Sequence, residues 1–518
     1  MKFNIKENKL KIYSKKIVDV NFINNFKKKN KFKKIILCHG VFDIVHPGHV
    51  RHLVYAKEKA DVLIVSITAD IHITKGIYRP HVPASLRALN LAAFEVVDFV
   101  IIDKNPEPYQ ILKKIRPNFF AKGFEYVEKK NKKTITEEKI LKSFGGKLIF
   151  TPGDYVNSST KLIKIHEPDL KYEKLFSLLD KYKITIQNIE ETVKKIKNLK
   201  IDIVGDTIVD TFTKCKTIGG QTKTPTLSLL FEKKIDYVGG AGIVAKHIAA
   251  ANCKANLITV LGEDSLKNFV LQDLKKNKVT FNGEIDKLRP TVNKNVFISD
   301  DYRLLRVSKL DNTPIDENMA IEIAKKIKKS NSNGVIFSDF RHGIFSKRNI
   351  NIFKKAIPKN KFTAADSQVA SWWGNILEFQ KFDLITPNER EARFALSDQV
   401  SGIRLLASKI YDFSKCKTLI LKLGKRGLIV CINNKHENAD SYFTLDSFAE
   451  NVIDPVGSGD ALLAYATMAM IISNCKVTSV IIGLLAASCE CEKDGNIPIS
   501  KQDILIKIDE IKKNILKN

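Results

Sequence analysis

Near its C-terminus the chain reads Ile453-Asp454-Pro455-Val456-Gly457-Ser458-Gly459-Asp460-Ala461-Leu462-Leu463, and this stretch decides how the second half is read. An apolar run without Gly or Pro continues from Ala461 to Ile472, which predicts a buried helix. Gly457 and Gly459 permit a tight turn, so the amides of Gly457, Ser458 and Gly459 would face outward from the helix start. Such a start carries unpaired N–H groups and a partial positive charge, which suits an anion. Asp460 would stand beside that anion, placed to take a proton from a hydroxyl. An anion hole next to a carboxylate is what phosphoryl transfer from a nucleotide to an alcohol requires. The same residues also suit an Asp that only caps a core helix after a glycine turn.

Asp454-Pro455-Val456-Gly457-Ser458-Gly459-Asp460 resembles the D-T-x-G-A-G-D motif of ribokinase-type (PfkB) sugar kinases. The resemblance implies that Asp460 is the catalytic base and that Gly457, Ser458 and Gly459 hold the transferring phosphate.

At 518 residues the chain exceeds one ordinary core, so two domains of unequal size are expected. No apolar run reaches the roughly 18 residues of a membrane span, and Met1 to Lys6 lacks a secretory apolar core. A cytoplasmic protein without membrane contact is expected. The eight Cys are scattered without a C-x-x-C pair, which argues against a disulfide framework or a zinc site. A net charge of +29 invites a nucleic-acid reading, but the Lys residues are spread over the whole chain among Ile and Asn. A solvated face that attracts phosphorylated substrates is the expectation, with no nucleic-acid partner.

Residues 1–30 read as an N-terminal extension and residues 31–166 as the first domain. Lys34 to Cys38 is a continuous apolar strand, followed by His39-Gly40-Val41-Phe42-Asp43-Ile44-Val45-His46-Pro47-Gly48-His49, then a helix and a second strand from Val62 to Thr68. Ligands bind at that end of parallel sheets. His46 and His49, three apart at a helix start, would share a face and donate to phosphate oxygens. An isolated H-x-x-H equally suits a metal pair or two surface histidines. The longer motif, Gly40-Val41-Phe42-Asp43 followed by His46-Pro47-Gly48-His49, resembles that of nucleotidyltransferases such as the cytidylyltransferases. Ala121-Lys122-Gly123 and Asn157-Ser158-Ser159-Thr160 are similar to further motifs of that group. The resemblance implies catalytic roles for His46 and His49. It implies nucleotide and phosphate contacts for Gly40, Phe42, Asp43, Gly48, Lys75, Arg87, Lys122, Gly123, Ser158, Ser159 and Thr160. The reaction implied is attack by a sugar 1-phosphate on the α-phosphate of a nucleoside triphosphate, ATP or CTP, with Mg²⁺ bridging the oxygens and pyrophosphate leaving.

Residues 167–197 are polar, Lys-rich and helical in tendency and read as a linker, its last stretch leading into the first kinase helix with apolar positions at helical spacing: Ile189, Val193, Ile196 and Leu199. Residues 198–518 read as a ribokinase-like domain. Its opening strand leads into Gly205-Asp206-Thr207-Ile208-Val209-Asp210, acids that the PfkB resemblance puts on the sugar. The glycine pair Gly239-Gly240 would lie against the substrate, with Lys246 as a polar contact, since Ile243 stands where the family has Asn. Ile218 to Leu230 and Asn295 to Leu305 resemble the strands of a β-lid, and Arg289, Lys294 and Arg306 are cations that would meet a phosphate already on the sugar. Pro387-Asn388-Glu389-Arg390-Glu391 matches a P-N-x-x-E motif in which Asn388 and Glu391 hold Mg²⁺ indirectly, and Lys422, Gly424 and Gly427 resemble the turn lining ATP.

The expected architecture is α/β throughout: a Rossmann-like nucleotidyltransferase domain, then a ribokinase-like kinase domain with a small β-lid that mediates a homodimer. The whole resembles the bifunctional heptose-phosphate kinases/heptose 1-phosphate adenylyltransferases, with the domain order reversed. Two other readings are a CTP-dependent cytidylyltransferase for a polyol phosphate fused to a polyol kinase, and a partly decayed sugar-phosphate sensor.

Overall fold

The computed structural model describes residues 12–73, 80–123, 132–151, 171–219, 227–300, 302–368 and 376–517. The chain divides into two compact units: Met1–Asp169 with the short segments Gln399–Ser408 and Lys435–Tyr442, and Leu170 onward for the remainder.

The first unit is built on β1 (Ile35–Gly40), β2 (Val62–Thr68), β3 (Phe99–Asp103), β4 (Phe119–Lys122) and β5 (Lys147–Phe150). They pair in parallel in the order β3-β2-β1-β4-β5. Ile35 to Cys38 are all buried because the sheet is covered on both faces. Ile36 and Cys38 pack under α2 (Pro47–Glu58) and α3 (Ala84–Ala92). Ile35 and Leu37 pack under α1 (Val20–Lys29), α4 (Tyr109–Ile115) and α5 (Lys132–Lys142). The chain leaves β1 toward β2 and β3, then returns to place β4 on the other side of β1. The crevice beyond the carboxyl ends of β1 and β4 is therefore the topological switch point, where open α/β sheets bind ligands.

The second unit has a nine-stranded sheet. Its strands are β6 (Lys200–Gly205), β9 (Lys254–Ile258), β11 (Thr280–Phe281), β15 (Gly334–Asp339), β16 (Phe362–Ser367), β17 (Leu384–Ile385), β18 (Leu419–Lys422), β19 (Leu428–Cys431) and β20 (Tyr442–Leu445). The order is β11-β9-β6-β15-β16-β17-β18-β19-β20, parallel from β11 to β18 and antiparallel between β18 and β19. A separate four-stranded sheet, β14-β13-β7-β8, is formed by β7 (Thr207–Gly219), β8 (Ser228–Gly240), β13 (Val292–Ser299) and β14 (Tyr302–Lys309). This is the lid, and it is larger than the two short stretches expected: β7 begins immediately after Asp206 and pairs with β8 down to Gly240. A short pair, β10 (Val260–Gly262) with β12 (Glu284–Asp286), completes the strands.

The stretch expected as a linker ending in one helix contributes two, α6 (Lys171–Lys181) and the expected α7 (Ile186–Lys195), whose Leu175, Leu178, Leu179, Ile189 and Val193 join the second unit's core. A capping box between Thr185 and Asn188 starts α7. The predicted buried helix is α11 (Ser458–Ser473), followed by α12 (Lys476–Cys491). Every residue from Asp460 to Met470 is buried, since α11 is apolar on all sides and lies in the middle of the core. Among the described residues, no helix is long and apolar enough to cross a membrane.

Candidate functional sites

In the second unit the carboxyl ends of β6, β15, β16 and β18 converge with the starts of α10 (Glu389–Leu396) and α11. Gly457 takes φ +88°, a conformation that favours glycine, and turns the chain into α11. The Ser458 N–H bends back to the Pro455 carbonyl at 3.4 Å, whereas the amides of Gly457 and Gly459 make no such internal bond among the described residues. At this helix start two glycine amides, not the three expected, are therefore left without an internal bond. Lys422, at the end of β18, supplies the matching cation: its Nζ lies 3.0 Å from where a Cβ on Gly459 would stand. Lys422 is held there by Asp366 at 2.8 Å, from the end of β16. Burial works against the Lys422 charge, but Asp366, Glu391 and Asp460 outweigh it and keep its pKa above the ordinary value.

Asp460 is buried in the first turn of α11. Burial, with Asp366 next in weight, pushes its pKa up to about 8 despite Lys422. A carboxylate this easily protonated near neutral pH is matched to general-base work. Asn388 and Glu391 form a reciprocal capping box on α10: the Asn388 amide N–H reaches Glu391 Oε2 at 2.7 Å and Asn388 Nδ2 reaches Oε1 at 2.6 Å. Burial and then Asp366 raise Glu391 to about 7. Gly427, at φ +78°, leaves the Leu445 carbonyl 1.9 Å from an added Cβ, so only glycine fits that turn, and Gly424 at φ +61° begins it.

The side expected to meet the sugar divides the expected acids. Asp210 lies on β7 against the glycine pair, its Oδ2 2.2 Å from the Cβ position of Gly239, and accepts from Asn496 Nδ2 at 2.9 Å. Burial raises its pKa, opposed by Lys294, which lies directly across on β13 in the register Lys294↔Asp210. Burial lowers Lys294 in turn, opposed by Asp210. Arg306 on β14 contributes to the field at both residues.

Three expectations on this side need correction. Asp206 accepts from the amides of Phe340 at 2.9 Å and His342 at 3.1 Å, so it braces the loop after β15 from inside. Lys246, on α8 (Ala241–Ala250), is buried in an ion pair with Asp273 at 3.0 Å on α9 (Ser265–Lys276). Arg289 is spent on Asp286 at 2.9 Å and the Thr313 carbonyl at 3.0 Å. Gly240, at φ +61°, has the Asp206 carbonyl 2.3 Å from an added Cβ, which explains the second glycine by close backbone packing. Sequence reasoning missed Asp366, Asn496 and Glu490, and had Lys294 only as one of several cations for a phosphate on the sugar. Only Asp366, an acid closing an apolar strand, carries a readable signal.

In the first unit, the residues after β1 form a compact turn. Phe42 takes φ +48° and packs its ring over Gly40, where a Cβ would stand 3.0 Å from the ring. His46 caps α2 through Nδ1, which accepts from the Gly48 N–H at 3.1 Å, and Pro47 opens the helix. That bond fixes the neutral tautomer with the proton on Nε2, leaving Nε2–H as a donor. Gly48 is required by the same fold-back: an added Cβ would lie 2.9 Å from His46 Cε1. The His46 and His49 rings lie against each other with centroids 3.9 Å apart and planes tilted by 37°. Burial lowers His46, and burial followed by His46 lowers His49 to about 4, so both imidazoles are neutral at pH 7. Neutral imidazoles can serve as N–H donors but carry no standing charge.

Arg87, expected on phosphate, is fully buried instead. It donates to the carbonyls of Val41, Val82 and Thr68 and pairs with Asp70 at 2.6 Å, locking the β1 turn against α3. Asp43 Oδ1 accepts from the Val82 N–H at 2.9 Å and serves the same brace. Lys122, at the end of β4, pairs with Glu137 and bonds Thr134 Oγ1 at 3.2 Å, with Gly123 next to it. Lys75, Ser158, Ser159 and Thr160 lie outside the described residues.

Comparison with known proteins adds independent findings. The model of the pfkB family of carbohydrate kinases matches residues 198–503, and the cytidylyltransferase-like model matches residues 37–165. A bifunctional protein HldE of Sulfurimonas denitrificans is 44% identical over 100 residues, 19% of this chain and 21% of that protein. One from Campylobacter jejuni RM1221 is 39% identical over 119 residues, 23% of this chain and 26% of that protein. These matches fall in the N-terminal part, and the chain spans about a fifth of the length of the first of these curated relatives. Phosphofructokinase-2 from Escherichia coli is similar in structure. The form with potassium has TM-score 0.50 at 16% identity, covering 61% of this chain and 99% of that one. The form with fructose-6-phosphate has TM-score 0.50 at 14% identity and the same coverage. At that identity the likeness speaks for fold.

Proposed function

We infer, from a chain that belongs to the pfkB family of carbohydrate kinases and carries a cytidylyltransferase-like domain ahead of it, that this is a bifunctional cytoplasmic sugar-activating enzyme. The observation that carries the reading is the convergence, around one helix start, of Asp460, the Gly457 and Gly459 amides and Lys422, with Asp210 and Lys294 on the sugar side.

In the kinase step Asp460 takes the proton of a sugar hydroxyl, whose oxygen attacks the γ-phosphorus of ATP as the bond to the leaving ADP breaks. The two glycine amides and Lys422 face the negative charge that gathers on the transferring group. Asp210, oriented by Asn496, accepts hydroxyls of the sugar. Lys294 and Arg306 supply cations on the lid for a phosphate the sugar already carries, which favours a sugar phosphate of the heptose 7-phosphate kind over a neutral sugar.

The residues fit a hydrated Mg²⁺. Buried Asp366 Oδ1 lacks a partner, while both Glu391 oxygens are occupied by Asn388. Among the described residues no group of three acidic, His or Cys side chains is arranged to hold a metal alone. Asp366 and Glu391 would therefore hold the ion through water and the nucleotide, where it offsets phosphate charge.

In the second step a sugar 1-phosphate oxygen attacks the α-phosphorus of a nucleoside triphosphate, pyrophosphate leaves, and His46 Nε2–H and His49 donate to the phosphate oxygens. No side-chain nucleophile is needed; positioning does the work. An ADP-heptose-like product follows if the nucleotide is ATP. Exposed Leu230, Phe231, Leu305 and Val307 on the lid strands support a homodimer formed through this sheet. The test is a screen of sugars and sugar phosphates with ATP or CTP, products read by mass. A phosphorylated sugar and a nucleotide sugar are expected. CTP-only transfer to a polyol phosphate, or no turnover with any acceptor, would reject this reading.

A further inference from the structure

Glu490, in the last turn of α12, is 1% exposed, yet both its carboxylate oxygens lack a hydrogen-bond partner among the described residues. It is aimed at the glycine turn: Oε1 lies 2.9 Å from the Cβ position of Gly457, beside Asn496 Oδ1 at 3.0 Å. The end of α12 is tied to the same segment, because the Cys491 carbonyl accepts from the amides of Ile453 at 2.8 Å and Asp454 at 3.2 Å. An acid without partners beneath an anion hole is an anomaly. Ionised, it would oppose the phosphate that the turn is built to hold; neutral, it would leave the turn open to one.

We propose that Glu490 is a positioning residue that must carry a proton for the Gly457–Gly459 turn to accept the transferring phosphate, so that phosphate occupancy and proton binding at Glu490 are linked. This rests on the kinase reading of the turn. The charged groups facing Glu490 are Asp460 on α11, Asp454 before the turn, Lys493 after α12 and Lys246 on α8. Burial, then Asp460, pushes Glu490 to about 8, against the two lysines. A phosphate arriving at Gly457 adds like charge and drives the group further toward its protonated form.

Calorimetric titration of the full chain with Mg²⁺ and the non-hydrolysable ATP analogue AMPPNP tests this, in buffers of different ionisation enthalpy. Wild type should take up protons on binding at pH 8 and bind roughly fivefold more weakly at pH 9 than at pH 8, as a group titrating near 8 dictates. Glu490→Gln, and Glu490→Val as a second neutral variant, should lose that fall and take up fewer protons. Asp460→Asn should keep a fall with rising pH, moved to lower pH because the Asp460 charge no longer raises Glu490, and this separates Glu490 from the base. An unchanged pH dependence and proton uptake in folded Glu490→Gln or Glu490→Val would overturn the proposal. If Gly457→Ala leaves AMPPNP binding untouched and Asp460→Asn leaves sugar phosphorylation intact, the kinase reading itself fails, and the proposal with it.

Discussion

Gly457→Ala perturbs the turn in two ways that the structure keeps separate. Its φ of +88° costs an L-residue about 1–2 kcal/mol in any left-handed position. The new methyl group would also stand 2.9 Å from Glu490 Oε1 and 3.0 Å from Asn496 Oδ1, tighter than ordinary contact. Pushing such neighbours aside in a packed interior costs about 1–3 kcal/mol more. Urea unfolding should therefore show a loss of about 2–5 kcal/mol. In a Glu490→Ala background, where part of the obstruction is gone, the increment should shrink toward the backbone share of about 1–2 kcal/mol. If the strained turn relaxes so that the Gly457 amide, one of two left without an internal bond, no longer points at the phosphate, sugar-dependent ADP formation should fall by up to about 10²–10³-fold even where the protein remains folded. A variant within about 0.5 kcal/mol of wild type, with unchanged turnover, would show that neither the strain nor the anion hole is as described.

Lys246→Met should destabilise the second unit by about 1–3 kcal/mol, since it leaves Asp273 without its buried partner, while the KM for the sugar stays unchanged. A raised KM with normal stability would return Lys246 to the sugar site. Arg87→Ala strips the partner from three carbonyls and from Asp70, and should cost about 3–5 kcal/mol. Hydrogen exchange in residues 35–68 should accelerate, and protection equal to wild type would contradict that brace. Stability should fall as pH rises from about 6.5 to about 8, above the range in which His39, His49, His247 and His342, held neutral by burial in the native state, act in the opposite sense. Asp460 and Glu490 titrate near 8, and Glu391 and Asp339 near 7, all above their unfolded values, so the native state binds more protons across that window. A urea midpoint that climbs over the same range would refute the assignment.

What was readable in the sequence is what depends on neighbours in the chain. The Gly-Ser-Gly-Asp turn before an apolar run, and the His-Pro-Gly-His start of α2, each specify a local conformation, and the structure builds both. What escaped is set by elements far apart in sequence. Arg87 and Lys246 look like ligands because a charged residue near a motif usually faces solvent, yet each meets its partner inside. Asp206 and Asp210 are indistinguishable in sequence, but the loop at Phe340 to Ile344 closes over one and Asn496, 286 positions away, orients the other. The lid strands were underestimated because β14 is exposed along its length and β8 over much of its length, so neither shows the clean alternation of a half-buried strand. Glu490 sits between two cysteines in an otherwise apolar run, and nothing there announces that the helix end lies under the glycine turn.

The central claim, two independent transfer sites on one chain, is tested most directly by measuring both activities in Asp460→Asn and in His46→Ala with the acceptors identified by the substrate screen. Asp460→Asn should abolish sugar-dependent ADP formation and leave pyrophosphate release from nucleotide and sugar 1-phosphate at the wild-type rate; His46→Ala should show the opposite pattern. Loss of both activities in both variants, with folding intact by circular dichroism, would contradict the account.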